Sequence, residues 1–132
     1  MSMRIPLGLV LMAVAAIPAS AHHTVANGVD TSKLATLTGT ITSVEWKNPH
    51  VIYHLAVPDA TGTRVDWEIE SRHLQGMRRE GIDSETIKIG DAVTMNVMLM
   101  RDGSHHAATA SMVLADGRKV NVCTVTNNAC PS

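Results

Sequence analysis

The sequence predicts an all-β fold with one short helix, an OB-fold-like five-stranded barrel. Three observations predict it. Apolar and polar residues alternate in five separate stretches, the period of a strand with one buried face. The first stretch, "LATLTGTITSVEW" (34–46), is long and changes parity within itself: Leu37, Gly39 and Ile41 share one face, Val44 and Trp46 the other. The order is strand, strand, strand, helix, strand, strand, as in an OB-fold, where a long curved first strand pairs at both ends to close a barrel. A β-sandwich is the rival, but it needs no helix between its third and fourth strands.

Each element has a local reason. The parity slip in 34–46 predicts a bulge or bend, and Gly39 marks the same curvature. Asn48-Pro49 is a turn signal. Residues 50–57 alternate, with Val51, Tyr53, Leu55 and Val57 on one face and His50, Ile52 and His54 on the other. "DATG" (59–62) is a hairpin turn with Gly62 suited to the left-handed position. Residues 64–70 place Val65, Trp67 and Ile69 inward and Arg64, Asp66, Glu68 and Glu70 on a solvated face. A loop over 60–62 would set His54 opposite Glu68 and bring His50 near Arg72.

Ser71 is the expected N-cap of a helix over 72–80, with Leu74 and Met77 on one side and Gly81 ending it. Strands over 92–100 and 107–114 follow, then a short one over 119–122, separated by Asp102-Gly103 and Asp116-Gly117 turns. With no Phe, two Trp and one Tyr, methionine is the expected core filler. Met98 and Met100 face away from Val97 and Leu99, which keeps a soft thioether site for Cu(I) in view.

The N-terminal stretch reads as a secretory signal: Arg4, an apolar run over 7–16, Pro18, then Ala19-Ser20-Ala21 before a cleavage site. The run is shorter than the roughly 20 residues that span a bilayer, so the mature chain is not expected to be an integral membrane protein. The expected organisation is a cleaved signal (1–21), a flexible arm (22–33), the barrel (34–122) and a tail (123–132), in a periplasmic or secreted protein. In an exported chain Cys123 and Cys130 are most simply a disulfide tying that tail; a thiol metal site or two free thiols are the alternatives. A net charge of −1 supplies no basic field to recruit nucleic acid, and no polybasic block suggests a membrane surface.

Several motifs also resemble a known family. "LTGTITSVEWKNPHVIYHLAV", then "WEIE", "LQGMRREGI", "IKIGD" and "RDGS", resemble the bacterial exported family catalogued as domain of unknown function 6152. The most specific piece is Trp-x-Asn-Pro-His, here Trp46, Asn48, Pro49 and His50. Ile82 and Ile89 depart from that pattern, and the Cys123–Cys130 tail lies outside it. The resemblance implies an exported, non-cytoplasmic domain and implies no activity.

Candidate chemistry is sparse. If His22 begins the mature chain, its α-amine and imidazole can chelate Cu(II) together, with His23, His105 or His106 as a further ligand. Copper is the one cofactor this suggests; solvated histidines on an arm are the alternative. His50 and His54 are four residues apart on one strand, about 13 Å, too far to share an ion. His54 with Glu68 is then a cross-strand polar pair, and His50 a hydrogen-bond partner for loop backbone or a ligand contact. His105 and His106, as neighbours on a strand, should point to opposite faces. No catalytic constellation emerges. The expectation is a non-catalytic binding or accessory domain for a small molecule or an envelope protein. Its contact surface would involve Trp46, Asn48, His50, His54 and Glu68, with Cu(II) handling through His22 as the alternative.

Overall fold

A computed structural model describes residues 28–124. The strands are β1 (Val29–Glu45), β2 (Ile52–Pro58), β3 (Arg64–Glu70), β4 (Ala92–Met100), β5 (His106–Val113) and β6 (Lys119–Asn121), with one helix, α1 (Leu74–Arg79), between β3 and β4. Their order in the sheet is β3-β2-β1-β4-β5-β6, and a parallel β3–β5 pairing joins the first five strands into a ring. That circuit and the position of α1 are those of an OB-fold.

β1 makes the ring possible because two ladders share it. Its residues Leu34 to Thr40 pair with β4, and Thr40 to Glu45 pair with β2. The parity slip appears where the sequence places it. Ile41 faces Leu55 and Ser43 faces His54, so Thr42 is an extra residue between them. This bulge lets both Ile41 and Val44 turn toward the core despite their odd spacing. Gly39 sits where strand passes close to strand: a Cβ there would lie 2.4 Å from the Ala56 carbonyl oxygen. The β2–β3 register is the one expected from the turn, with His54 opposite Glu68. Asp59 pins that turn, its carboxylate accepting from the backbone N–H groups of Thr61 and Thr63.

Inside the ring lie Ile41, Tyr53, Leu55, Ile69, Met95, Val97 and Met112, and α1 covers one end with Met77. Methionine does fill the core. Met98, on the other face of β4, is wholly buried in a second small cluster with Val29, Ala108, Ala110 and Cys123.

Some expectations need correction. β1 begins at Val29, which is buried and pairs with Met100, so a flexible arm over 22–33 does not reach Lys33. The helix is shorter than expected, and its N-cap is His73, whose Nδ1 accepts from the Gly76 N–H at 2.9 Å. Ser71 cannot cap it because Ser71 still belongs to the β2–β3 hairpin: its N–H donates to the Val51 carbonyl at 2.8 Å. The Ser71 side chain is buried and donates to the Val122 carbonyl instead. Gly81 ends the helix with φ of 74°, as its lack of a side chain allows.

Gly39→Ala should destabilise the fold by about 1–3 kcal/mol, because the carbonyl it strikes is held in the β1–β2 ladder. Thermal unfolding followed by circular dichroism should show a drop of several degrees in Tm.

Candidate functional site: a histidine-lined groove

The outer face of β2 and β3 carries the chemistry. Three strands place three ligand-type residues in one row: β2 sets His54 opposite Glu68, and β3 sets Glu68 opposite His106. Partners in a sheet ladder point to the same side, so the row reads His–Glu–His across the surface. Asp66 lies next along β3 on the same face.

The β4–β5 turn forms the wall of the groove. Gly103 takes φ of 74°, and the Asp102 carboxylate accepts from the Ser104 N–H at 2.9 Å. Hydrogen bonds from the Ser104 backbone and then its side chain hold the Asp102 carboxyl below the ordinary aspartate range. The pinned turn delivers Ser104, His105 and His106 beside β3, and the His105 carbonyl accepts from the Glu68 N–H at 3.0 Å. The His105 ring lies against the Trp67 indole, 5.0 Å between centroids and tilted by 47°. Trp67 faces the core by parity, but β5 pairs with β3 only from Glu68 onward, so the flank of Trp67 stays half-open. The resulting groove of about 380 Å³ is lined by His54, Asp66, Trp67, Glu68, Ser104, His105 and His106. A second hollow, lined by Thr42, Ser43, His54 and Asp66, adjoins it through His54 and Asp66.

The register predicted for His54 and Glu68 is correct, but the His54 side chain reaches elsewhere. Its Nε2 lies 3.0 Å from Glu45 Oε1, a diagonal contact across the β1–β2 ladder. Glu45 also holds Lys47. Hydrogen bonding to His54 and then to Lys47 keeps the Glu45 carboxyl below the ordinary glutamate value.

Among the described residues the His50 side chain meets Glu70 rather than loop backbone: its Nδ1 is 2.6 Å from Glu70 Oε1. Glu70, expected on a solvated face, is only 7% exposed. Residues 122–124 lie against this end of β3. Thr124 Oγ1 donates to the Glu70 carbonyl at 2.8 Å, and Thr109 Oγ1 donates to the Val122 carbonyl at 2.8 Å. His50 is therefore a structural histidine, tying the 46–50 loop to β3. Trp46 is largely core: it meets Tyr53 edge-on at 6.2 Å and packs against the interior. Asn48, beside the cis Asn48–Pro49 peptide, is exposed and outside the groove.

His105 and His106 correct another expectation. Both line the groove, because β5 starts at His106 and His105 still belongs to the turn. Asp66, Trp67 and Ser104 were not legible as groove residues, since the β3–β5 contact that gathers them is non-local. His22, His23 and Cys130 lie outside the described residues, while Cys123 is buried. Among the described residues no three His, Cys, Asp or Glu side chains converge as a metal cluster, and no helix is long and apolar enough to cross a membrane.

Fold and site together define an OB-fold-like β protein with a polar, histidine-lined groove outside its second and third strands. The chain belongs to the family of unknown function DUF6152, whose profile matches residues 10–110. No curated protein matches it.

His50→Ala should destabilise the protein by about 1–3 kcal/mol, because it strips a hydrogen-bonding partner from a buried carboxylate. Urea unfolding should show a lower midpoint with an unchanged slope. A pH test follows from Glu45. Its folded pKa is depressed, so the pairing stabilises the fold above the ordinary glutamate value and is lost as pH falls through the depressed value. The Tm gap between wild type and Glu45→Gln should therefore be present at neutral pH and close on acidification.

Proposed function

We propose that this protein is an exported, non-catalytic binding or accessory domain of the cell envelope, and that its ligand occupies the groove over β2 and β3. Export is supported by the apolar run over 7–16 followed by Ala19-Ser20-Ala21. One observation carries the binding reading: a single concave surface gathers an indole, three imidazoles and two carboxylates, and neither Asp66 nor Glu68 enters an ion pair among the described residues. Polar groups converging beside an aromatic ring are the usual furniture of a binding site. The two carboxylates would repel phosphate, which disfavours the nucleic-acid ligands of other OB-folds.

The non-catalytic part of this reading has one support. Among the described residues no serine or threonine hydroxyl is hydrogen-bonded to an imidazole, the contact that would activate a nucleophile. The rim supplies acceptors from Asp66 and Glu68, a hydroxyl from Ser104 and imidazoles that both donate and accept.

The test is a screen of small polar molecules against isotope-labelled protein, read by amide chemical shifts. Binders should perturb His54, Asp66 to Glu68 and Ser104 to His106, and Trp67→Ala should weaken them at least tenfold. Perturbations confined to other surfaces would refute the reading.

A further inference from the structure

Resting on that reading of the groove, we infer that its ligand is a short, uncharged oligosaccharide laid across the strands along the row Ser43, His54, Glu68 and His106. Register builds the row. Ser43 pairs with His54, His54 with Glu68, and Glu68 with His106, on β1, β2, β3 and β5 in turn. Steps of roughly 4.8 Å from strand to strand make the row about 14 Å long. Two hollows lie along it, one of about 380 Å³ against the β4–β5 turn and one of about 450 Å³ toward β1, and they share His54 and Asp66. The side chains stand in line and form no cluster around a single point. An extended ligand of repeated polar units, one to a hollow, fits such a row.

The mix of donors and acceptors selects hydroxyl groups. Asp66 and Glu68 only accept, and among the described residues neither enters an ion pair. Their oxygens suit neighbouring hydroxyls on one ring. His54 gives Nε2 to Glu45 at 3.0 Å, so a neutral His54 presents Nδ1 to the ligand as an acceptor. Ser43 supplies a hydroxyl, and the His105 and His106 imidazoles both donate and accept. A sugar hydroxyl also does both, so it can answer every one of these groups. An ammonium ion only donates and would leave the donors of Ser43, His105 and His106 unmet. An anion would face two carboxylates. At the turn end the half-open Trp67 indole, with the His105 ring 5.0 Å away, offers an apolar flank for the C–H side of a ring.

The experiment titrates cellotetraose, maltotetraose and tetra-N-acetylchitotetraose, each beside its monosaccharide, into isotope-labelled protein, with spermidine and inorganic phosphate as charged probes. We expect a tetrasaccharide to bind and to shift amides in both hollows, from Ser43 and His54 through Asp66 and Glu68 to His106. Its monosaccharide should bind at least tenfold more weakly, and affinity should level off once the chain outgrows the row. Asp66→Ala and Glu68→Ala should each weaken binding at least tenfold, and Ser43→Ala severalfold, with the circular dichroism spectrum unchanged. Lys119→Ala, outside both hollows, should have no effect. Absence of saccharide binding, shifts indifferent to Asp66 and Glu68, or tighter binding of spermidine or phosphate than of any saccharide would overturn the inference. Polar molecules of the wider screen that still map to the groove would then leave the broader binding reading standing; perturbations confined to other surfaces for saccharides and screen alike would bring down both.

Discussion

A single strand serving two ladders is the constraint on which the rest of this fold depends. β1 gives its first half to β4 and its second half to β2, so its inward face must change along its length. A regular strand cannot do this, because alternate residues stay on one side. The extra residue at Thr42 and the missing side chain at Gly39 solve the two halves of the problem: one resets which side faces in, the other lets the backbones come close. With β1 bent, β2 and β3 are carried round until β3 meets β5. The groove exists only because that meeting occurs.

The closing joint is short and polar. Only Glu68, Ile69 and Glu70 of β3 are in register with β5, and a parallel pairing of that length is weak alone. Buried hydroxyls reinforce it. Thr109 Oγ1 lies 3.1 Å from Ser71 Oγ and reaches the Val122 carbonyl, while Thr124 reaches the Glu70 carbonyl. Each such bond contributes about 1 kcal/mol, and their shared burial makes them cooperative. Glu70 joins this cluster to the 46–50 loop through His50. One residue thus connects the turn after β1, the seam of the ring and the segment 122–124.

What the sequence made legible was whatever depends on near neighbours. Alternation located β3 and β4 to the residue, the turn at 59–62 fixed the β2–β3 register, and the slip between Ile41 and Val44 announced the bulge. Cap choice failed at Ser71, since a serine still engaged in a hairpin ladder has no freedom to cap. Glu70 read as solvated because alternation names a face without saying what covers it, and here the cover comes from 122–124. The groove was half visible. His54 and Glu68 were paired correctly, but His106 joins them only through the parallel β3–β5 contact, and nothing local in the sequence encodes that contact.

Energetics divides the histidines between fold and surface. His50 is bound to a buried carboxylate and His73 caps the helix, so changing either disturbs the framework. His105 and His106 are exposed, and His105 serves the ring through its backbone carbonyl, which accepts from the Glu68 N–H. His54 stands between these cases, half-exposed and, among the described residues, paired through its side chain with the half-exposed Glu45, which also holds Lys47. Surface pairs of that kind contribute well under about 1 kcal/mol. Three imidazoles and two carboxylates thus gather on one face at little benefit to stability, beside a Trp67 indole that also packs against the core. Scattered surface residues need no explanation, but polar groups converging in a groove where folding does not require them invite one. The stability of the ring and the chemistry of its outer face are separable here, which is the condition for substituting groove residues and reading the result as binding.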